Sequence, residues 1–244
     1  MDHPLIAKLE QFSRLSDEDR RTLEILTEGP VRRFASRADI VREGEAPRAV
    51  RLILSGWACR YKQLPNGRRQ IVALFLPGDL CDHNVFVLSE MDHSIGTLSP
   101  VALVEIPPPA FEEMMTARPR VTRALWWESL VNAATQREWI LNLGGRDAVE
   151  RLAHLFCELF YRLRGIGHMQ DGGCDLPLTQ TDLAEVAGLT PVHVNRTLQS
   201  LRRQGLLELR GRRLTIPDLP ALERVASFNP NYLHLDRVGA RFDA

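Results

Sequence analysis

Lysine is nearly absent from this 244-residue chain. Only Lys8 and Lys62 stand among the 31 basic residues, and 31 acidic residues balance them to zero net charge. That balance excludes a globally basic nucleic-acid coat. It does not exclude a local basic patch, because position rather than total charge decides where a polyanion is held. Arginine makes forked contacts to phosphate and guanine, although a bias this general also follows from genome composition alone. Cysteine is scarce and scattered. Cys59, Cys81, Cys157 and Cys174 form no C-x-x-C pair, so neither a structural zinc site nor a disulfide framework is indicated, and reduced thiols in a bacterial-type cytoplasm are expected. No window of about 18 apolar residues is free of charge, so no membrane span is expected. Met1 to Arg21 carries acids throughout and no apolar block, which is not the pattern of a signal peptide. No G-x-S-x-G or comparable arrangement accompanies Asp82, His83 and Ser94, so no enzyme is expected. No repeat or low-complexity segment is present. What remains, 44% hydrophobic and 25% charged, is an ordinary folded composition at a length that suits two modest domains.

Along the chain, residues 4–28 read as short helices, with Ser16 as N-cap and Asp19 in a capping-box position, ended by Gly29-Pro30. From 31 to 108, short apolar runs alternate with turn residues: Glu43-Gly44-Glu45, Ser55-Gly56, Pro65-Asn66-Gly67, Pro77-Gly78-Asp79, Ser99-Pro100. Many short strands with regular turns predict a small antiparallel barrel or jelly roll. From Phe111 the period becomes helical. Val121, Ala124, Trp127, Val131, Ala134 and Leu141 form one stripe, and Trp126, Leu130, Ala133 and Ile140 form a second beside it. A helix clamped between its own domain and a twin needs two such stripes. The first stripe is taken as the dimer interface. Trp126, Trp127 and Trp139 read as interface anchors rather than a ligand cage. Residues 146–164 form a further amphipathic helix, on which Cys157 reads as a packed apolar residue beside His154.

The informative stretch is Leu178 to Leu201. Thr179 caps a first helix, with Asp182 three residues on. Gly188 supplies positive φ at its end. Thr190 caps a second helix and Pro191 takes its first position, where a missing N–H costs nothing. Val194, Leu198 and Leu201 point inward, leaving Val192, His193, Asn195, Arg196 and Gln199 outward. This is the helix-turn-helix pattern, whose second helix enters the major groove. Arg196 can fork onto guanine, Asn195 can pair with adenine, and Val192 can meet a thymine methyl. Between 196 and 213 stand six arginines and one acid, Glu208. Arg202, Arg203, Arg212 and Arg213 suit phosphate contacts, and residues 205–216 read as the hairpin of a wing. Helix-turn-helix geometry also occurs in proteins that never touch DNA; the wing and the concentrated charge favour the DNA reading.

Over residues 15–228 the layout resembles the CRP/FNR family of bacterial transcription regulators. The resemblance rests on Ile40-Val41-Arg42-Glu43-Gly44-Glu45, Leu54-Ser55-Gly56-Trp57, Asn66-Gly67-Arg68, Pro77-Gly78-Asp79-Leu80, Arg146-Asp147-Ala148-Val149-Glu150-Arg151-Leu152, and Thr179 to Leu201. It implies an α+β fold: a cyclic-nucleotide-binding-like barrel over 1–109, a dimerisation helix over 110–145 and a winged helix-turn-helix over 146–228; beyond the resemblance, 229–244 reads as a tail. It also implies a homodimer, an inverted-repeat operator on double-stranded DNA, and contact with RNA polymerase.

Cyclic-nucleotide-binding members carry a Gly-Glu pair and, about ten residues later, an Arg-Ser pair. Here the matching positions hold Asp82-His83 and His93-Ser94, so cyclic AMP is disfavoured as effector. No cysteine precedes Cys59, which disfavours an iron–sulfur cluster. Many relatives place a Glu where Val192 stands, so operator preference should differ at the base pair that Glu reads. Cys81, Asp82, His83, His93 and Ser94 are the candidate effector pocket. Cys81, His83 and His93 read as ordinary pocket residues rather than metal or haem ligands, and Cys59 and Cys174 have no visible resolving partner for oxidant sensing. No metal or cofactor is assigned. The alternatives are an effector-independent regulator with a vestigial pocket, a haem-bearing gas sensor, and a cyclic-nucleotide-binding module acting on a protein partner.

Overall fold

A computed structural model describes residues 3–83 and 87–235. The chain divides into two compact units. One holds the stretches up to Lys62 and Ala73–Ala133; the other holds Gln63–Val72 and Ala134–Leu233. The division falls inside the long helix rather than at either of its ends.

In the first unit, helices α1 (Pro4–Leu9) and α2 (Asp17–Thr27) precede strands β1 (Arg32–Phe34), β2 (Asp39–Val41), β3 (Val50–Ser55), β4 (Ala58–Gln63), β5 (Arg69–Phe75), β6 (Leu80–Cys81), β7 (Ser94–Thr97) and β8 (Val101–Ile106). Ser16 caps α2 in the expected capping box with Asp19. The strands form two antiparallel sheets ordered β1-β8-β3-β6 and β2-β7-β4-β5. Alternation along β3 and β8 explains the sandwich. Ile53 and Leu103 join Val41, Ala58, Phe75 and Ile95 between the sheets. Their neighbours Leu52 and Val104 turn to the opposite face and pack with Leu5, Leu9, Phe12 and Phe111. The first sheet is thus buried on both faces, which is why its strands read as continuous apolar runs. This is the expected jelly roll.

Two helices follow where the sequence pattern suggested one. α3 covers Pro108–Ala117 and α4 covers Pro119–Gly145. Pro119 lacks an N–H and excludes the helical region for the residue before it, so Arg118 leaves the helix at φ −126°, ψ 76°. The larger correction concerns the faces of α4. Of the six positions expected at a subunit interface, Val121, Ala124, Trp127 and Ala134 are buried within the chain, and Val131 packs half-buried against the same helix–barrel cluster. Only Leu141 is exposed. Trp127 stacks on Phe12 at 5.5 Å between ring centroids, and Trp139 is buried with its indole N–H on Glu158 at 3.0 Å. The exposed stripe is the second one: Trp126 at 59%, Leu130 at 67% and Ile140 at 71%. Periodicity identifies two apolar faces; it does not say which one the chain's own barrel covers.

The second unit contains α5 (Ala148–Gly165), β9 (Gly173–Asp175), α6 (Gln180–Ala187), α7 (Pro191–Arg203), β10 (Glu208–Arg210), β11 (Arg213–Thr215) and α8 (Leu219–Ala226). Asp147 caps α5 in a capping box with Glu150. β10 and β11 pair as the expected hairpin, and β9, which lies just past the glycine-rich loop, adds a third strand to them. Past α8, Tyr232 and Leu233 are buried. Tyr232 stacks on His154 at 5.9 Å and donates to Glu158 at 3.0 Å. The expected tail over 229–244 is therefore packed at its start; its residues from 236 lie outside the described ones.

His154 sits among Phe228 and Tyr232. Burial, with the charge of Arg146, depresses its pKa from 6.5 to about 3. Between those values the unfolded chain binds a proton there and the folded chain does not, so stability is lost as pH falls through that window. His154→Phe should flatten the decline in urea-unfolding stability between about pH 6.5 and pH 4. An unchanged slope would contradict the assignment.

Candidate nucleic-acid interface

The second unit's helix pair is built by local rules. Thr179 accepts from the Asp182 N–H while Asp182 accepts from the Thr179 N–H at 2.8 Å, closing a capping box on α6. Gly188 ends α6 at φ 62°. A side chain is doubly disfavoured there, since an added Cβ would also meet Leu143 at 3.0 Å. Thr190 accepts from the His193 N–H at 3.2 Å, and Pro191 opens α7. Val194, Thr197, Leu198 and Leu201 are buried beneath α7, and Leu183, Ala184, Val186 and Ala187 are buried on α6.

The opposite face of α7 is open. Val192 is 63% exposed, and His193, Arg196 and Gln199 are also exposed. Asn195 is half-buried, its Oδ1 accepting from the Gln199 amide at 2.9 Å. Those two side chains therefore present one connected amide surface. Thr179 and Thr190 are exposed at the two helix starts. Arg202, Arg203, Arg212 and Arg213 are exposed as well. Arg202 reaches the Leu209 carbonyl of the wing at 3.3 Å, and Arg213, on the wing, reaches the Gln170 carbonyl of the loop before β9 at 2.6 Å. Arg210 is paired with Glu208 at 3.2 Å, so the segment's one acid is already neutralised.

The sensor-pocket candidates lie in the first unit, and two of them, Asp82 and His93, share an ionic cluster with Arg60. Asp82 holds a left-handed backbone at φ 54°, a conformation that Asp tolerates better than most residues. The Arg60 guanidinium donates to one of its oxygens, and His93 Nε2 lies 2.8 Å from the other. His93 Nδ1 meets Asp92 at 2.6 Å. Burial works against the Asp82 charge, yet His93 and Arg60 together hold its carboxyl below the ordinary range. Arg60 was not singled out by the sequence, although its guanidinium is the cation at the centre of this group and also lies over the Phe75 ring. Ser94 accepts from the Glu43 N–H at 3.0 Å. His83 points away from Asp82, to Ser129 on α4 at 2.8 Å. Beside it, Lys8 pairs with Asp79 and with the buried Glu128 of α4. Cys81 is buried, and burial pushes its thiol well above the ordinary value. Burial likewise raises Cys174 to about 11. Neither environment favours a thiolate.

Residues 31–118 match the cyclic nucleotide-binding domain, and residues 150–225 match the Crp-like helix-turn-helix domain. The chain is 30% identical over 207 residues to the transcriptional activator protein FnrL of Cereibacter sphaeroides, covering 84% of this chain and 82% of that one. It is 27% identical over 194 residues to the nitrogen fixation regulation protein FixK of Bradyrhizobium diazoefficiens, covering 80% and 81%. The solved structure of FixK2 from Bradyrhizobium japonicum aligns with a TM-score of 0.73 at 25% identity, over 82% of this chain and 98% of that one.

Asp82→Ala leaves the largely buried Arg60 without its carboxylate. It should destabilise the first unit by on the order of 3 kcal/mol in denaturant unfolding, with much of the loss recovered in Arg60→Met/Asp82→Ala. A single variant as stable as the wild type would contradict the cluster's role.

Proposed function

The chain belongs to the CRP/FNR family of transcription regulators, and from that premise we propose that it is a homodimer that reads an inverted-repeat operator with α7. The observation that carries this reading is the division of α7 into a buried apolar side and an open polar one. Arg196 is the direct reader, forking onto guanine, with Asn195, Val192, His193 and Gln199 beside it. Arg202, Arg203, Arg212 and Arg213 position the phosphate backbone, with Thr179 and Thr190 at the helix starts. Contact with RNA polymerase and a cytoplasmic location belong to the same reading, and the names of FnrL and its kin support activation as one output.

The dimer face is the outer stripe of α4. Trp126, Leu130, Ala133 and Ile140 make it up, and Leu141 is the one member of the expected stripe that stays with them. Burying large apolar side chains there contributes roughly 1.5–3 kcal/mol each before the cost of association.

The effector is not cyclic AMP on this reading. Arg60 and His93 already share the carboxylate of Asp82, so an incoming phosphate would have to displace it. The same closure favours a second reading, in which the barrel is an effector-independent scaffold. If an effector exists, His83–Ser129 and Lys8–Glu128 are the contacts that join the pocket's neighbourhood to α4. It can then act only through its preference for one pose of that helix.

Arg196→Ala should lose on the order of 1–3 kcal/mol on the operator and relax preference at one base pair per half-site, measured by competitive duplex binding. An equal loss on operator and random duplex would contradict direct reading. Leu130→Arg should yield folded monomers in sedimentation and sharply weakened operator binding; a dimer of unchanged strength would contradict the outer-stripe interface.

A further inference from the structure

The tip of the β4–β5 hairpin belongs to the same compact unit as the helix-turn-helix. Its turn is tied down locally. Gly67 N–H donates to the Leu64 carbonyl at 2.9 Å, Leu64 N–H to the Arg68 carbonyl at 2.8 Å, and Arg68 N–H to Asn66 Oδ1 at 3.1 Å. Three consecutive polar residues follow. The Gln70 amide donates to the carbonyl of Glu185 and, at 3.3 Å, to that of Val186. These lie in the last turn of α6, where carbonyls have no partner within the helix. Arg69 Nε lies 3.6 Å from the Glu185 carboxylate. Two of the three side chains therefore hold the hairpin in place. The third, Arg68, is exposed and makes no ion pair among the described residues.

Arg68 lines a concavity of about 660 Å³. Thr181, in the first turn of α6, and Thr190, Pro191 and His193, at the start of α7, line it as well. Although Thr179 and Thr190 take the Asp182 and His193 N–H groups, both helix starts carry the positive ends of the helix dipoles. The one acid in the lining, Glu185, is engaged by Arg69. An arginine with no ion pair among the described residues, two threonine hydroxyls and two helix starts make a surface that favours an anion, and it is continuous with the reading face through Thr190 and His193.

We propose that this concavity seats a phosphodiester of the DNA flanking the base pairs read by α7, with Arg68 as the contacting cation and Arg69 and Gln70 as positioning residues. The barrel's hairpin thereby becomes part of the DNA interface. The proposal rests on the DNA-binding reading above and adds to it a contact from outside the helix-turn-helix.

The test compares the full-length wild type with Arg68→Gln and Gln70→Ala. Affinities are measured against salt concentration on a duplex selected from a random pool and on an unselected duplex. Arg68→Gln should weaken both duplexes by a similar several-fold factor and shrink the salt slope by about 1. Gln70→Ala keeps the charge but frees the hairpin, and should lose part of the same affinity; thermal midpoints confirm that both variants are folded. Unchanged affinity and slope in Arg68→Gln overturn the proposal. Tighter binding also overturns it and marks the hairpin as a latch against DNA. Inorganic phosphate that raises the midpoint of the wild type but not of Arg68→Gln, with equal duplex affinities, would assign the seat to a free anion and overturn it too. If the wild type binds no duplex at any salt, the DNA reading falls and this seat falls with it.

Discussion

A helix that is apolar on two adjacent faces has no stable place in water until both are covered, and α4 is such a helix. Its inner face is covered from within the chain. Val121, Ala124 and Trp127 close the cluster that also contains Phe12, Leu52 and Phe111. Its outer face is not, and Trp126, Leu130 and Ile140 stand open on it. Scattered exposed hydrophobics are ordinary, whereas an aligned row of large ones on a long helix marks an association surface. Glu128 is buried on the inner face, and Ser129 is half-buried beside it. Their bonds to Lys8 and His83 fix the helix's rotation about its axis, since a polar group buried without its partner is costly. The same bonds decide which stripe is inner and which is outer.

The two charged regions are organised in opposite ways. In the barrel, cations and acids cancel internally: Arg60 with Asp82, Lys8 with Asp79 and Glu128. Around α7 and the wing, arginines stand exposed, and Glu208, the one acid between residues 196 and 213, pairs with Arg210. A chain of zero net charge can thus present a cationic surface, because its acids are spent elsewhere. The near absence of lysine gains meaning from this. Lys62 pairs with Glu43 and Lys8 is half-buried between Asp79 and Glu128, so the exposed basic surface around α7 is made of arginine.

The helix-turn-helix was legible from its letters because each piece is fixed by nearest neighbours. Thr179 and Asp182, Gly188, and Thr190-Pro191 specify caps and a turn whatever the rest of the chain does. The jelly roll was legible from its turn residues and short apolar runs, and the break at Pro119 could have been read from the same proline rules that placed Pro191. The face of α4 was not legible, because choosing between two apolar stripes depends on partners more than a hundred residues away, such as Lys8 for Glu128. Arg60 was missed for the same reason: on β4 it reads as one more strand arginine, and only the fold brings it to Asp82 and His93. The hairpin tip was recognised as a turn, but its attachment through Gln70 to the end of α6 leaves no local trace.

The central claim is that two copies of this chain read one duplex through paired α7 helices. Selection of bound sequences from a random duplex pool by the full-length protein tests it most directly. The account predicts a twofold-symmetric motif whose half-site centres lie about 10 base pairs apart, one turn of DNA. Enrichment of a single asymmetric half-site, or of no motif, would contradict it.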